Sequence, residues 1–463
     1  MKSEKIGTLK SSAFTICGIL AIDTFVIPAV MGVSSITIWL LISLFFLIPY
    51  GLVTAELGCR FPQDGGIYIW VREAFGKFNA TLVGWFYWVN VALWMPAIFI
   101  AFTSWFSYTF DLELTFITLG SIACFMSWLI IFICIRGIET SVVISNAAAI
   151  SKVFILLTFG VMGIIYMVKN GANNSFSITN FIPKLDFNSL TFVSAIVYNL
   201  LGFELISSIA SKIDNPKKTI PIMTITSSVI IASLYIIGTF GLLVALPSKN
   251  IEPLMGFVNA LEELTTIFGN VDYIVFRLLM IIALFSITSN MVSWVMGAVL
   301  VFDATEYASK SKIFSKQHDK YLTPYVSYTI MGIISTILII INFMLNENAS
   351  EVFWTILAFS FVIFLLPYVW MFLSLIKLDS IKKMGTNYII PFGKVGIYIF
   401  STLGLFFISI SIFLLFYNGD FSLVYHGMLV IGTLFITILG IIIYKRSAIN
   451  EEEIYNELRN EKS

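Results

Sequence analysis

Charge is what this sequence has least of. Only 12% of its 463 residues are Asp, Glu, Lys or Arg, against about 25% in an ordinary soluble chain. Hydrophobic residues make up 58%, and the mean hydropathy is +0.94. A chain so poor in charge cannot cover its surface for water, so it belongs in a membrane. Histidine is nearly absent. His318 and His426 stand far apart in the chain, near segments expected as loops, and no metal is assigned to them. The four cysteines, Cys17, Cys59, Cys124 and Cys134, show no CxxC spacing and read as small core residues. No HExxH motif or paired His/Asp set is present, which argues against an intramembrane enzyme. Long polar stretches are also lacking; the longest, about 170–187 and 305–321, are loop-sized. A large catalytic module, a nucleic-acid partner and a cofactor are therefore not expected. The basic start MKSEKIGTLK precedes a long run without a small-residue cleavage site, so no cleaved leader is expected.

Long apolar runs are what the sequence has in plenty. A helix needs about 20 apolar residues to cross a bilayer. Twelve windows qualify: about 13–33, 35–58, 78–109, 113–135, 139–168, 188–211, 219–246, 271–304, 322–344, 350–376, 393–417 and 422–444. The expected fold is an all-α membrane protein of twelve transmembrane helices. Its few cations are placed unevenly. With the N-terminus in the cytoplasm, Lys169, Lys184 and Lys249 are the outside cations, and Lys152 and Arg277 fall within or at the edge of spans. The rest of the 27 Lys and Arg residues fall inside. That bias follows the positive-inside rule and puts both termini in the cytoplasm of a multi-pass protein of the cytoplasmic membrane. The tail EEEIYNELRNEKS reads as a short solvated helix. Glu56, Asp303 and Glu306 sit at cytoplasmic span ends, where solvated or loop-pairing roles are expected, and Arg277 reads as an interfacial anchor.

Two spans carry signs of interruption. The first reads GILAIDTFVIP over 18–28, with Gly18, then Asp23 and Thr24, then Pro28. An aspartate at mid-bilayer costs about 2.5–3.5 kcal/mol on insertion scales, so something must offset it. The sixth span reads YNLLGFELISS, with Gly202 and Glu204 in its middle. Glycine loosens a helix, and nearby polar side chains can satisfy the freed backbone groups. Breaks five spans apart suit an inverted five-plus-five repeat, as in secondary transporters with a mid-membrane site between broken helices. The expected organisation is a cytoplasmic N-terminus over 1–12, a ten-helix core over 13–376, helices 11 and 12 over 393–444 and a cytoplasmic tail over 445–463. Within the core the repeats are about 13–168 and 188–376.

The stretch AELGCRFPQDGGIYIWVREAFGKFNATLVGWFYW (55–88) resembles the loop between spans 2 and 3 of the amino acid–polyamine–organocation transporters. NLLGFELISSIASKIDNPKKTIP (199–221) is similar to their sixth span and the loop after it. WVMGA (294–298) resembles the eighth-span motif of the glutamate/γ-aminobutyrate and agmatine/putrescine antiporters. The resemblance implies a LeuT-like fold and a carrier of amino acids or amines. It implies a gating position at Tyr198, where the arginine/agmatine antiporter has a tryptophan. It also implies that Lys152 stands where other members bind sodium. One departure matters. The first-span break of the family is usually a Gly-Ser-Gly type triplet that holds a substrate carboxylate, and here the aligned residues are Ala21, Ile22 and Asp23.

A carboxylate there repels a carboxylate and attracts an amine. The candidate substrate site is Ala21, Ile22, Asp23, Thr24, Met95, Tyr198, Gly202, Phe203, Glu204 and Trp294, with Trp94 as a further wall residue. Lys152 and Glu204 are candidates for proton coupling or charge relay. Two carboxylates across one cavity would suit a diamine. Each assignment has a plainer rival: Asp23 paired with Lys152, Glu204 as a proton site or a packing residue, Trp94 and Met95 as core. The expected function is secondary active transport of a cationic amine-bearing substrate by exchange, or else proton-coupled amino acid symport. The expected partners are a small amine or amino acid, membrane lipid and a second copy in a homodimer. A channel is disfavoured because the spans are too apolar to line a pore. A subunit dependent on a disulfide-linked partner is disfavoured by the positions of the cysteines.

Overall fold

The computed structural model describes residues 5–183, 187–345, 349–381, 389–417 and 423–460. In chain order its helices are α1 (Thr8–Ile19), α2 (Ser34–Arg60), α3 (Ile67–Phe75), α4 (Lys77–Thr109) and α5 (Phe116–Ile135). They continue with α6 (Ile138–Asn170), α7 (Phe187–Asn199), α8 (Pro216–Ala245), α9 (Gly256–Thr265) and α10 (Asp272–Asp303). The last are α11 (Glu306–Lys310), α12 (Tyr325–Leu345), α13 (Ala349–Ser380), α14 (Gly393–Phe416) and α15 (Leu423–Asn460). Among the described residues there is no strand, only an isolated bridge between Ile6 and Ile213.

Eleven helical segments of the described residues are long and apolar enough to cross a membrane, and they match the second to twelfth expected spans. The first expected span differs. Its helix α1 has 12 residues and stops at Ile19, and a 3-10 segment follows only at Ile27–Met31. The sixth expected span is likewise split, into α7 and a 3-10 segment at Phe203–Lys212. The tail differs too. It is no separate helix but the continuation of α15 to Asn460. Lys2, Lys184, Lys382, Lys383 and Lys462, used in the charge count, lie outside the described residues.

Two bands of contacts close the molecule above and below the interruptions. On the face that carries the N-terminus, Ile6 N donates to Lys212 O at 2.8 Å and Asp214 N donates to Ile6 O at 2.9 Å. Lys5 Nζ donates to Ser211 O at 2.5 Å, and Asp64 accepts from Ser211 N and Oγ at 2.7 and 2.6 Å. Glu56 is fully buried there and takes the loop-pairing role rather than the solvated one. It pairs with Arg60 at 2.8 Å and accepts from Ile389 N and Ile390 N at 2.6 and 2.9 Å. Glu306 pairs with Lys77, at the start of α4, at 3.0 Å and with Lys310 at 3.6 Å. On the opposite face α9 packs against α4 and α6. Its Phe257 stacks on Trp105 at 4.8 Å and on Phe159 at 5.1 Å. Arg277 is held by Asp111 at 2.5 Å.

Candidate functional site

A helix that stops in the middle of a protein leaves its last carbonyls without donors. At the end of α1, side chains from three other helices supply them. Lys152 of α6 places its ammonium 2.5 Å from Cys17 O and also donates to Leu20 O. Trp294 Nε1 of α10 donates to Gly18 O at 2.7 Å. The Tyr235 hydroxyl of α8 donates to Ile19 O at 2.7 Å, lies 3.1 Å from Asn199 O, and accepts from Ala21 N at 2.9 Å. A cation at a helix C-terminus is favoured further by the helix dipole. Lys152 is thus a backbone cap.

The second interruption presents amides instead. Gly202 turns the chain at φ 131°, where a side chain is disfavoured. A Cβ there would also stand 3.0 Å from Ile19 and 3.2 Å from Trp294. The Tyr50 hydroxyl accepts from Gly202 N at 2.8 Å and Phe203 N at 2.9 Å, then donates to Glu204 Oε2. Glu204 Oε1 accepts from Tyr87 and Tyr368, each at 2.6 Å. Three phenols therefore surround one buried carboxylate. The interruptions are tied to each other by Thr24 Oγ1, which donates to Asn199 Oδ1 at 2.5 Å.

Asp23 has the opposite surroundings. It is 2% exposed, and neither carboxylate oxygen has a hydrogen-bond partner. Beside the interruptions lies an aromatic group. Tyr198 stacks on Phe361 at 3.8 Å, Trp94 meets Tyr198 edge-on at 6.2 Å, and Trp94 meets Trp294 edge-on at 5.9 Å. Met95, beside Trp94 in the chain, is fully buried, as are Ile22, Thr24 and Phe203.

The structure thus brings Ala21, Ile22, Asp23 and Thr24 near Tyr198, Gly202, Phe203 and Trp294. Lys152 shares the α1 terminus with them but does not hydrogen-bond Asp23. Glu204 faces tyrosines. Sequence reasoning missed Tyr50, Tyr87, Tyr235, Tyr368 and Asn199. A buried phenol or amide in an apolar span needs a partner, but which of the many tyrosines takes one is decided by the fold.

Comparisons with known proteins agree with this architecture. The profile of the family described as amino acid permease matches residues 6–443. A probable agmatine/putrescine antiporter of Lactococcus lactis is 30% identical over 379 residues, covering 82% of this chain and 80% of that protein. A glutamate/gamma-aminobutyrate antiporter of the same organism is 22% identical, covering 90% of this chain and 84% of that protein. The fold is similar to that of a manganese transporter from Eremococcus coleocola, with a TM-score of 0.64 at 14% identity, over 96% of this chain and 94% of that one.

Proposed function

The chain belongs to the amino acid permease family, and from that premise we propose that it exchanges a cationic amine-bearing substrate across the cytoplasmic membrane by alternating access. It is a multi-pass membrane protein of a family of transporters. Both relatives are named as antiporters, which supports exchange, and the one named for agmatine and putrescine supports an amine as cargo.

One observation carries the reading. The Asp23 carboxylate is buried and unpartnered, while the amides of Ala21, Gly202 and Phe203 are taken by tyrosine hydroxyls. These interruptions offer a substrate a negative charge rather than a cradle of free N–H groups. A substrate ammonium would meet Asp23 in a charge-assisted hydrogen bond. Tyr198, Trp294 and Met95 would hold its carbon chain, with cation–π attraction of about 0.5–2 kcal/mol from the rings. Ala21, Ile22, Thr24, Gly202 and Phe203 would shape the two backbones between which it sits. Glu204 would relay conformational change or protons through its three phenols. In this reading 13–376 form the transporting core as inverted repeats and both termini are cytoplasmic.

The test is uptake of labelled putrescine, agmatine, arginine and alanine by proteoliposomes preloaded with unlabelled compound. Exchange of amines lacking a carboxylate, lost in Asp23→Asn, supports the reading. Movement of amino acids alone overturns it. Proton-coupled amino acid symport is favoured by a different observation. Lys152 is fully buried and its ammonium donates to carbonyls, with no direct hydrogen bond to a carboxylate. That mechanism requires a proton gradient to drive uptake into empty liposomes.

A further inference from the structure

Two cavities away from the helix interruptions adjoin near the start of α10, one apolar and one charged. The apolar one is a groove of about 450 Å³ between α4, α5, α6 and α10. Phe106 and Phe110, Met126 and Ile130, and Ile281 and Val292 are among its walls. Its only hydroxyls are those of Thr288 and Ser289, and Thr288 Oγ1 donates to Leu284 O of its own helix at 2.8 Å. Ile281 and Phe285 on its wall are 48% and 43% exposed, so the groove lies at the surface of the helix bundle. The charged cavity, about 380 Å³, is lined by Arg277, Asp111, Glu262 and Asp272 with Tyr108 and Tyr273. Phe110 of the groove stands in the chain between Thr109 and Asp111 of the charged cavity. Arg277 lies one turn before Ile281, at the head of the helix face that continues through Leu284, Phe285, Thr288 and Val292.

Within a membrane such a groove is filled by hydrocarbon, because water is excluded there and empty space forfeits dispersion contacts. Ile281 and Val292 are eleven residues apart on α10, which is about 16 Å at the ordinary helical rise. That is about half of the ~30 Å hydrocarbon core, the depth of a single leaflet. The charge above the groove is mixed. Arg277 is bonded to Asp111, Glu262 accepts from the Tyr108 hydroxyl, and Asp272 accepts from Tyr273 N. Three carboxylates around one guanidinium repel a headgroup of net negative charge. They suit one that carries a cation beside its phosphate.

We propose that the groove and the charged cavity together bind a phospholipid with a phosphoethanolamine headgroup. One acyl chain lies along α10, the phosphate meets Arg277, and the primary ammonium sits among Asp111, Glu262 and Asp272. A guanidinium matches phosphate geometry, and a primary ammonium gives carboxylates charge-assisted hydrogen bonds that a quaternary one cannot. The site is independent of the cargo and of Asp23.

The experiment adds phospholipids with identical acyl chains to delipidated full-length protein in detergent and follows the thermal midpoint. Phosphatidylethanolamine should half-saturate at about tenfold lower concentration than phosphatidylcholine or phosphatidylglycerol. Thr288→Phe, which fills the groove, and Arg277→Gln, which removes the phosphate's partner, should each erase that preference. Arg277→Gln also loses its bond to Asp111, so the readout is the shift caused by lipid and not the midpoint without it. Ile281→Trp blocks the groove from its exposed side and serves where Thr288→Phe does not fold. Equal stabilisation by the three lipids overturns the proposal, as does a preference that survives in a folded groove-filling variant.

Discussion

The two helix interruptions use similar parts and wire them in opposite ways. At the first, the chain's carbonyls are capped and the carboxylate is bare. At the second, the chain's amides are capped and the carboxylate is saturated. Lys152, Trp294 and Tyr235 cover the carbonyls of residues 17 to 20. Tyr50 covers the amides of Gly202 and Phe203 and joins Tyr87 and Tyr368 on Glu204. The difference separates structure from binding. Backbone groups freed by a break are satisfied within the protein, whereas the Asp23 carboxylate has no hydrogen-bond partner, which is why we propose it as the group that meets a substrate.

Four substitutions test that contrast. The largest effect is expected from Lys152→Ala, which leaves the carbonyls of Cys17 and Leu20 without a donor and opens a cavity. Stability should fall by roughly 3–5 kcal/mol, seen as a lower thermal midpoint in detergent and poor recovery of folded protein. Asp23→Asn should lower amine exchange about a hundredfold, since a charge-assisted hydrogen bond is worth roughly 1.5–3 kcal/mol. Its thermal midpoint should stay level or rise, because no internal bond is lost. Glu204→Gln should do the reverse in kind. Replacing one carboxylate oxygen by an NH2 group leaves fewer acceptors for three phenols, and stability should drop by about 2 kcal/mol. Equal midpoints for the Asn and Gln variants would break the comparison between the two sites. The smallest effect belongs to Thr24→Val, which removes one tie to Asn199 and should cost about 1 kcal/mol in the same melting experiment.

The fold was legible because its signals are local. Apolar runs name the spans, and Gly18, Pro28 and Gly202 mark the breaks by residue type alone. Lys152 and Asp23 were legible for the same reason: a charge in an apolar run announces itself. Their pairing was not. The partners of Lys152 lie more than a hundred residues away in α1, and an ammonium can be satisfied by carbonyls, which no sequence pattern reveals. The four tyrosines were hidden by abundance, in a chain with 19 tyrosines and 43 phenylalanines. Nothing local separates a phenol that packs from one that caps a backbone. Glu204 was placed correctly at the second break, but its three partners come from three different helices, and that convergence exists only in the fold.

The Tyr235 oxygen has a mechanical consequence. It lies within hydrogen-bonding distance of Ile19 O, Ala21 N and Asn199 O, three points on two interrupted helices. A pivot shared in this way couples the half-helices as a linkage couples two levers. Either they turn together as one body around it, or the cycle includes a moment at which this junction lets go. In the second case, breaking that junction would add an energetic cost to the cycle that does not depend on how tightly any cargo is held.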